Sequence, residues 1–467
     1  MKNLTIIPNR VSETRKYGYL LVTFLVILVL FLIAGSLTKE RSPHATYGLA
    51  ILLLGCLPGI IYFQKKDQES IPLLPLHGLF YSFTFGFPVF SDLIDWRGLP
   101  GSSIDYALEL VITGLVLLYV SYYFVGRVLF YKVAPVSLKN QLSFKHLTPK
   151  FWLIISIYIL YRIIPNLSEI PSLGQLLNPL GYFTLGFFYI LYLKGILSNI
   201  EKNFFLFLIL PVVFIDRFTS GALAQVFLLM LFYMIIYWQI RKKIPLFFIG
   251  ILMAFYMIFN PAKMHYRTLI TSDYYTDLSR VEKTGLFFTA AYEYYKNVKG
   301  KSFDKLGSTQ VGRINHITTF AYVVHNTPGT VPYWDGHTYE FLLVSFIPRF
   351  IWPGKPESSY GNEFGHRYAL LNKNDYVTSF NLPWLPEFYA NYGEVGVYIG
   401  MALVGLLFRL LVVVFASPKA TIIEYLLGLT LLFSLFYAES NLAGMLGGFI
   451  LSFISLYFIM YLISRRV

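Results

Sequence analysis

Charged residues and cysteines are both scarce in this sequence. Only 13% of the 467 residues are charged, against 56% hydrophobic residues and a mean hydropathy of +0.58. A soluble globule of this size needs more polar surface, so the composition excludes an ordinary soluble protein. The single cysteine, Cys56, lies in an apolar run, which excludes an intramolecular disulfide and a cysteine-rich metal site.

Several catalytic motifs are also absent. The sequence has no Asp-x-Asp pair of the kind that holds a nucleotide-sugar metal, no Walker loop, no His-Glu-x-x-His and no Gly-x-Ser-x-Gly. Chemistry driven by a cytoplasmic nucleotide is therefore disfavoured. We expect neither a bound metal nor a cofactor.

What the sequence does contain is a series of long apolar runs along nearly the whole chain. Most approach the roughly 17 to 25 residues that a helix needs to cross a bilayer, which does not fit a barrel of short alternating strands. The predicted fold class is all-α, a polytopic helical bundle with about twelve transmembrane helices. We place these spans near residues 17–36, 46–64, 71–90, 105–130, 150–165, 174–194, 203–216, 219–240, 244–260, 393–415, 420–438 and 442–463.

The basic residues support this arrangement. The net charge of +13 would suggest nucleic-acid binding in a soluble protein, but here the excess has a topological explanation. With a cytoplasmic N-terminus, 20 Lys and Arg residues lie inside, 5 lie in short outside loops and 13 lie in one long loop. We therefore predict that both termini are cytoplasmic, that the long loop is external and that nucleic acid is not a partner.

The predicted spans divide the chain into three regions. These are a nine-helix membrane region (1–260), a large external loop (261–385) and a three-helix membrane region (386–467). The loop is rich in aromatic residues, so we expect it to be ordered and to lie on the bundle and the lipid interface. Its expected elements are amphipathic helices over 284–298 and 311–325 and a re-entrant or interfacial helix over 338–352.

A rigid basic element follows the apolar part of that last segment. It runs from Pro348 to Pro356 and contains Arg349, Trp352 and Lys355. Two cations framed by prolines at headgroup depth could clamp a phosphate or pyrophosphate. The alternative is an interfacial anchor, in which a tryptophan and snorkelling cations fix the chain at the membrane surface.

Two further sites carry cations. Arg217 is predicted in a short turn between two spans, where it either pairs with Asp216 or binds a ligand. Arg313 and His316 lie about one helical turn apart on a predicted amphipathic helix, so both could point in one direction. The alternative for Arg313 and His316 is that water alone solvates their side chains.

The carboxylate candidate is Glu387, which precedes the tenth predicted span. Tyr389 and Asn391 follow it closely. A carboxylate at an external membrane face can have a raised pKa and act as a general base for a sugar hydroxyl. The alternative is a favourable negative charge at a helix N-terminus.

These features together resemble the bacterial O-antigen and exopolysaccharide repeat-unit polymerases. The resemblance lies in the twelve spans with one late external loop, and in two motifs. The first motif runs from Ile347-Pro348-Arg349 through Trp352-Pro353-x-Lys355-Pro356, and the second is Pro386-Glu387-x-Tyr389-Ala390-Asn391-Tyr392-Gly393, followed by Gly396 and Gly400. By motif it covers residues 313–405, and by topology it covers the whole chain.

The resemblance implies a metal-independent glycosyltransferase in the bacterial cytoplasmic membrane. Its substrates would be undecaprenyl-pyrophosphate-linked oligosaccharides, and its surroundings would include membrane lipids, a chain-length regulator and a flippase. The roles that it implies for this chain are pyrophosphate binding by Arg217, Arg313, Arg349 and Lys355, help to the attacking hydroxyl from Glu387 or His316, and sugar binding by Trp352, Trp384, Tyr389 and Asn391.

Other functions stay open at this point. A ligase that transfers finished lipid-linked glycan to another acceptor shares the donor chemistry and differs in the acceptor pocket. A transporter of polysaccharide or lipid-linked oligosaccharide would be expected to show repeat symmetry and a charged central cavity, and a scaffold protein would leave the basic element without a role.

Overall fold

Six helices in the computed structural model are long and apolar enough to cross a membrane. They are Ala45–Gln64, Leu73–Phe90, Gly101–Leu129, Leu173–Leu193, Trp384–Phe415 and Leu442–Tyr461. Three shorter helices are also apolar: Lys16–Ile27, Gln225–Arg241 and Ile422–Phe436. No strand occurs in the part of the chain that the structure describes. The chain is therefore an all-α, multi-pass membrane protein, and the predicted fold class is confirmed at this level.

The structure describes residues 16–27, 44–65, 68–91, 94–138, 144–164, 167, 170, 172–219, 223–245, 247–252, 254–255, 259, 266, 269, 280–298, 315–349, 351–356, 359–376 and 378–464. The helices are numbered in chain order as α1 (Lys16–Ile27), α2 (Ala45–Gln64), α3 (Leu73–Phe90), α4 (Gly101–Leu129), α5 (Phe144–Ile163), α6 (Leu173–Leu193), α7 (199–219), α8 (Leu223–Arg241), α9 (Arg280–Val298), α10 (His316–Asn326), α11 (His337–Glu340), α12 (Leu342–Ser345), α13 (Tyr360–Arg367), α14 (Trp384–Phe415), α15 (Ile422–Phe436) and α16 (Leu442–Ser464).

The chain forms two compact units. The first contains residues Met1–Gln141 and Val311–Met460, and the second contains Leu142–Gln310 and Tyr461–Val467. The units follow packing within the chain, whereas the predicted regions follow membrane topology. The predicted boundaries at residues 260 and 385 therefore stay predictions.

Glycines allow close helix packing in the first unit. A Cβ added at Gly55 of α2 would lie 2.5 Å from the carbonyl oxygen of Gly78 in α3. A Cβ added at Gly405 of α14 would collide with the carbonyl oxygen of Leu118 in α4. Small residues at such contacts let helix backbones approach, which is how membrane helices pack without a hydrophobic driving force between them.

An aromatic cluster forms a core of the second unit. Phe218 of α7 and Phe287 of α9 meet edge to face with ring centroids 4.5 Å apart, and Val226 of α8 is buried against the same cluster. The α9 helix covers the predicted amphipathic segment 284–298 and extends it toward the N-terminus. That prediction is confirmed, because the apolar face that suggested a helix is the face that packs here.

A sharp kink divides α14 into a short helical segment (384–391) and a long one (394–415). Tyr392 and Gly393 have non-helical backbone angles, and Gly393 has a φ of +61°. The tenth predicted span, 393–415, therefore begins at the kink, and the helix before it was not expected. Glycine accepts the positive φ without steric cost, which explains why the break occurs at this residue.

The remaining predictions for the long loop have mixed outcomes. The predicted helix at 311–325 is observed as α10, which begins at His316 because Asn315 is its N-cap, and residues 311–314 lie outside the described residues. The predicted continuous helix over 338–352 is wrong, because the chain forms only the short helices α11 and α12 before it becomes irregular. Pro348 has no backbone N–H to donate and cannot continue a helix. The predicted span 244–260 lies partly outside the described residues.

Candidate functional site

The short segment of α14 is fixed by the loop that precedes α11. The backbone N–H of Trp334 donates to the Ala390 carbonyl at 2.9 Å, and that of Asp335 donates to the Asn391 carbonyl at 3.3 Å. These bonds supply donors to two backbone carbonyls that have no helical N–H partner because of the kink. The loop therefore caps the C-terminal end of the short segment.

Asn391 completes this junction with its side chain. Its Nδ2 donates to Thr338 Oγ1 at 2.9 Å and to the Glu387 carbonyl at 2.8 Å, and its Oδ1 accepts from the Gly336 N–H at 3.0 Å. Asn391 is completely buried. These contacts give it a structural role at the kink, and its predicted sugar binding stays a prediction.

Glu387 is completely buried one turn before Asn391. One carboxylate oxygen, Oε2, accepts a hydrogen bond of 2.7 Å from the backbone N–H of Leu442, the first residue of α16. The other oxygen, Oε1, has no hydrogen-bond partner in the described part of the chain. The carboxylate thus lies at the N-terminus of α16, where the helix dipole favours negative charge. The alternative of a negative charge at a helix N-terminus therefore applies, because Glu387 lies in the first turn of α14 and also accepts from the first residue of α16.

Residues at the end of α15, in the connection that follows it and at the start of α16 contact Glu387 and two buried histidines. The His77 Nδ1 lies 3.2 Å from the Leu435 carbonyl, to which it donates, and the His316 Nε2 lies 4.0 Å from Glu439 Oε1. Neither His77 Nε2 nor His316 Nε2 has a hydrogen-bond partner in the described part of the chain. Residues 435–442 therefore contact three buried ionisable side chains.

Of the two histidines, His316 lies outside the long apolar helices. It is the first residue of α10, and the side chain of Asn315 accepts from the Thr318 N–H to cap that helix. Burial lowers the pKa of His316 from 6.5 to about 4. The imidazole is therefore neutral near pH 7 and can accept a proton.

A groove of about 800 Å³ extends along α14. We call it the α14 groove. Its apolar wall runs from Val395 to Leu407 and is completed by the first turns of α16. Its polar end is formed by Tyr333, Asp335, Tyr339, Asn391 and Tyr392.

Glu387 lies next to the wall of the α14 groove. Three residues bonded to it or adjacent to it, Phe388, Asn391 and Leu442, line the groove. Burial and the nearby Glu387 carboxylate raise the pKa of Tyr339, so this phenol stays protonated at neutral pH. The arrangement places a hydrogen-bond donor at the polar end of an apolar groove and a buried carboxylate behind its wall.

The basic element is folded onto its own backbone. Lys355 Nζ donates to the carbonyls of Ser345 at 2.8 Å and Ile347 at 2.9 Å, and Arg349 donates to the carbonyls of Lys355 at 2.7 Å and Pro356 at 3.0 Å. Burial and the Arg349 guanidinium lower the pKa of Lys355. These bonds give both cations a role in folding the loop, and phosphate binding by them stays a prediction.

Of the other two cations predicted to bind phosphate, the structure describes Arg217. Arg217 lies in the second unit, in the last turn of α7 and not in the turn that the sequence suggested. Its Nη2 donates to Tyr158 Oη at 3.3 Å, and its guanidinium lies 4.8 Å from the centre of the Tyr182 ring. The adjacent Asp216 pairs with Arg162 at 2.5 Å. Arg313 lies outside the described residues.

The aromatic residues predicted to bind sugar differ in exposure. Trp384 is completely buried, with its ring centroid 5.4 Å from that of His77 and 6.0 Å from that of Phe408. Tyr389 is also buried, whereas Trp352 is 39% exposed on the basic element. Of these three residues, Trp352 alone presents its ring to the surface.

Sequence reasoning missed His77 and Glu439 as members of this site. Both are ionisable residues in or next to apolar runs of the sequence. Ionisable residues at membrane depth are functional candidates by default, and this was the signal available. Their contacts join positions 358 residues apart (His77 to Leu435) and 123 apart (His316 to Glu439), and one sequence contains no record of such distant pairing.

No group of three His, Cys, Asp or Glu side chains among the described residues is arranged to hold a metal ion. No curated protein and no solved structure matches this chain. A family model described as a domain of unknown function (DUF8712) matches residues 115–467, which is most of the chain. The protein therefore belongs to the DUF8712 family.

Proposed function

We propose that this protein polymerises undecaprenyl-pyrophosphate-linked oligosaccharide repeat units into O-antigen, capsule or exopolysaccharide. The reaction takes place on the outer side of the bacterial cytoplasmic membrane. The observation that carries the proposal is the α14 groove, an apolar channel with a polar end that lies against the buried carboxylate of Glu387.

The groove has the form that an amphiphilic substrate requires. Its wall from Val395 to Leu407 covers about 18 Å of helix at 1.5 Å per residue. A long apolar chain placed there removes apolar surface from water, and the tyrosine hydroxyls at the polar end can bond to a polar headgroup. Ligand sites of this kind are mostly apolar with a few well-placed polar groups.

Glu387 is the proposed general base. Its Oε1 has no hydrogen-bond partner in the described part of the chain, so it can accept the proton of the attacking sugar hydroxyl. The side chain is completely buried, and access therefore requires a shift of the groove wall at Phe388 or Leu442. His316, neutral at pH 7 and in contact with the same connection, is the proposed second proton acceptor.

The transfer breaks the bond between the anomeric carbon and the pyrophosphate of the donor. The hydroxyl oxygen of the incoming repeat unit forms the new glycosidic bond, its proton passes to Glu387, and undecaprenyl pyrophosphate leaves. The leaving group needs fixed positive charge. Arg349 and Lys355 are the proposed source, which requires them to exchange backbone carbonyls for phosphate oxygens.

The proposed topology has twelve spans, cytoplasmic termini and residues 261–385 outside. In this topology α14 and α16 both begin at the outer face. The hydrogen bond between Glu387 of α14 and the first residue of α16 supports that arrangement, because it requires both helix starts to lie at one level. The active carboxylate would then face the compartment that contains flipped substrates.

The test is complementation of a deletion strain, with electrophoresis of its surface polysaccharide. Wild type restores a ladder of long chains, whereas Glu387→Gln leaves glycan with a single repeat unit. Glu394→Gln is the matched control, because Glu394 lies on the same helix but is exposed, where it accepts from Tyr106 Oη at 2.6 Å. It is expected to restore the ladder.

Three outcomes contradict the proposal. Long chains that accumulate on the lipid carrier in the deletion strain indicate a ligase. A normal ladder in the Glu387→Gln strain, or in a strain with Arg349→Ala, removes that residue from the reaction. An unchanged glycan in the deletion strain excludes polymerisation altogether.

A further inference from the structure

The second unit contains a separate groove of about 980 Å³. We call it the α8 groove, because one face of α8 lines it from end to end. The residues of that face are Val226, Met230, Tyr233, Tyr237 and Arg241. Their spacing of three or four residues places them in one row along the helix.

The chemistry of this row changes steadily along its length. It begins with aliphatic and thioether side chains at Val226 and Met230, passes through two phenols and ends at Arg241, beside which Lys243 also lines the groove. The row covers about 22 Å at 1.5 Å per residue, which is of the order of one bilayer leaflet with its headgroups. No acidic side chain lines the groove among the described residues.

The two cations are placed to meet an anion. Arg241 Nη2 donates to the Leu193 carbonyl at 2.7 Å, which holds the guanidinium at the end of the groove. Arginine has five N–H donors, so this bond leaves others for a ligand. Lys243 is exposed at the same end.

Aromatic rings form the middle of the groove. Tyr189, Tyr192, Tyr233 and Tyr237 all line it, and the Tyr189 ring packs edge to face against Tyr233 with the ring centroids 4.8 Å apart. The Tyr233 hydroxyl is buried inside the protein, so the ring of this residue and not its oxygen lines the groove.

We propose that the α8 groove binds an anionic phospholipid of the surrounding bilayer. The phosphate lies against Arg241 and Lys243, and an acyl chain follows α8 past the rings of Tyr237 and Tyr233 toward Val226. The negative charge of the phosphate complements the two cations at one end of the groove, and the acyl chain matches the apolar length toward the other end. This binding does not depend on the proposed polymerase activity, because none of these residues belongs to the site of the first unit.

The test uses the purified full chain in detergent, titrated with phosphatidylglycerol or with phosphatidylethanolamine of the same acyl chains. Bound lipid is counted by native mass spectrometry. Wild type should bind phosphatidylglycerol more tightly. Each cation lost from the groove should weaken that binding by about fivefold, so Arg241→Gln/Lys243→Gln should weaken it about 25-fold.

Lys242→Gln is the matched control. It removes the same charge from the adjacent position, but Lys242 does not line the groove and its Nζ donates to Gln239 Oε1 at 3.0 Å. Its affinity for phosphatidylglycerol should stay within about twofold of wild type, because a charge outside the site adds only a screened contribution. Should the double variant fail to fold, Lys243→Gln alone tests the charge, since Lys243 is exposed.

Three results would overturn the inference. The first is equal binding of the two lipids by wild type. The second is an equal loss of affinity in the Lys242→Gln and Lys243→Gln variants, which would indicate a diffuse surface effect. The third is displacement of the lipid by glycerol phosphate at similar concentration, which would show that a free phosphate is the ligand and that the apolar part of the groove contributes nothing.

Discussion

Two adjacent glycines in α16 provide a sensitive test of the packing around the α14 groove. Gly447 is buried against Ser345 of α12, whereas Gly448 is exposed. A Cβ added at Gly447 would lie 2.5 Å from Ser345 Oγ and 3.2 Å from its carbonyl carbon. A Cβ added at Gly448 would have no neighbour within 4 Å. Alanine is therefore expected to have opposite effects at the two positions.

The magnitudes follow from two contributions. Alanine in place of glycine stabilises a helix interior by about 0.5–1 kcal/mol, and this gain applies equally to both positions. Overpacking costs about 1–3 kcal/mol and applies only at Gly447, because α12 must move to make room. Gly447→Ala should therefore destabilise the protein by about 1–2 kcal/mol, while Gly448→Ala should stabilise it slightly.

The assay is the apparent Tm of the purified protein in detergent, measured as the temperature at which monodisperse protein is lost on heating. Gly447→Ala should lower the Tm and Gly448→Ala should leave it unchanged or raise it. Adding Ser345→Gly to Gly447→Ala removes the nearest side-chain atoms and should recover part of the loss. Equal shifts for the two glycines, or no recovery in the double variant, would refute the contact between α12 and α16.

Two further predictions concern the buried polar residues. Asn391→Ala should destabilise the protein by about 3 kcal/mol, because it removes three hydrogen bonds and leaves the Gly336 N–H without its partner. The control Asn362→Ala removes two hydrogen bonds from a half-buried site and should cost about 1 kcal/mol. Equal Tm values for the two variants would contradict this prediction. His316 has a lowered folded-state pKa, so the unfolded chain binds more protons between pH 6.5 and about 4, and stability should fall as the pH drops through that range. His316→Gln should flatten this part of the Tm profile, and an unchanged slope would show that His316 is not buried in a neutral form.

Much of the fold was accessible from the sequence because apolar length is a local signal. The runs that became α2, α3 and α6 were placed within a few residues of their observed ends. The α9 helix was also expected, since its apolar positions recur at helical spacing over a polar segment. Signals of this kind need no knowledge of which helices pack together.

The kink in α14 and the short helices before it could not be predicted in the same way. The residue pattern from Trp384 to Phe415 is compatible with one continuous helix. The break at Gly393 depends on the Trp334 and Asp335 N–H groups, which bond to carbonyls more than fifty residues away in the chain. Tertiary contacts of this kind override local propensity.

The candidate site was found in part. Glu387 was identified because a carboxylate at the start of an apolar run is unusual, and the structure buries it completely. The phosphate-binding role expected of Lys355 did not account for the Ser345 and Ile347 carbonyls that its ammonium group contacts. Side-chain partners of this kind depend on how a loop folds, which charge spacing alone does not determine.

The most direct test of the proposed function is polymerisation by the purified protein. The full chain is reconstituted in liposomes with undecaprenyl-pyrophosphate-linked repeat units, without nucleotide sugar, and the products are resolved by electrophoresis and mass spectrometry. The proposal predicts a ladder of two or more repeat units on one lipid carrier with release of undecaprenyl pyrophosphate, and no ladder with Glu387→Gln. Substrates that remain single repeat units with the wild-type protein, under conditions in which it stays folded, would contradict it.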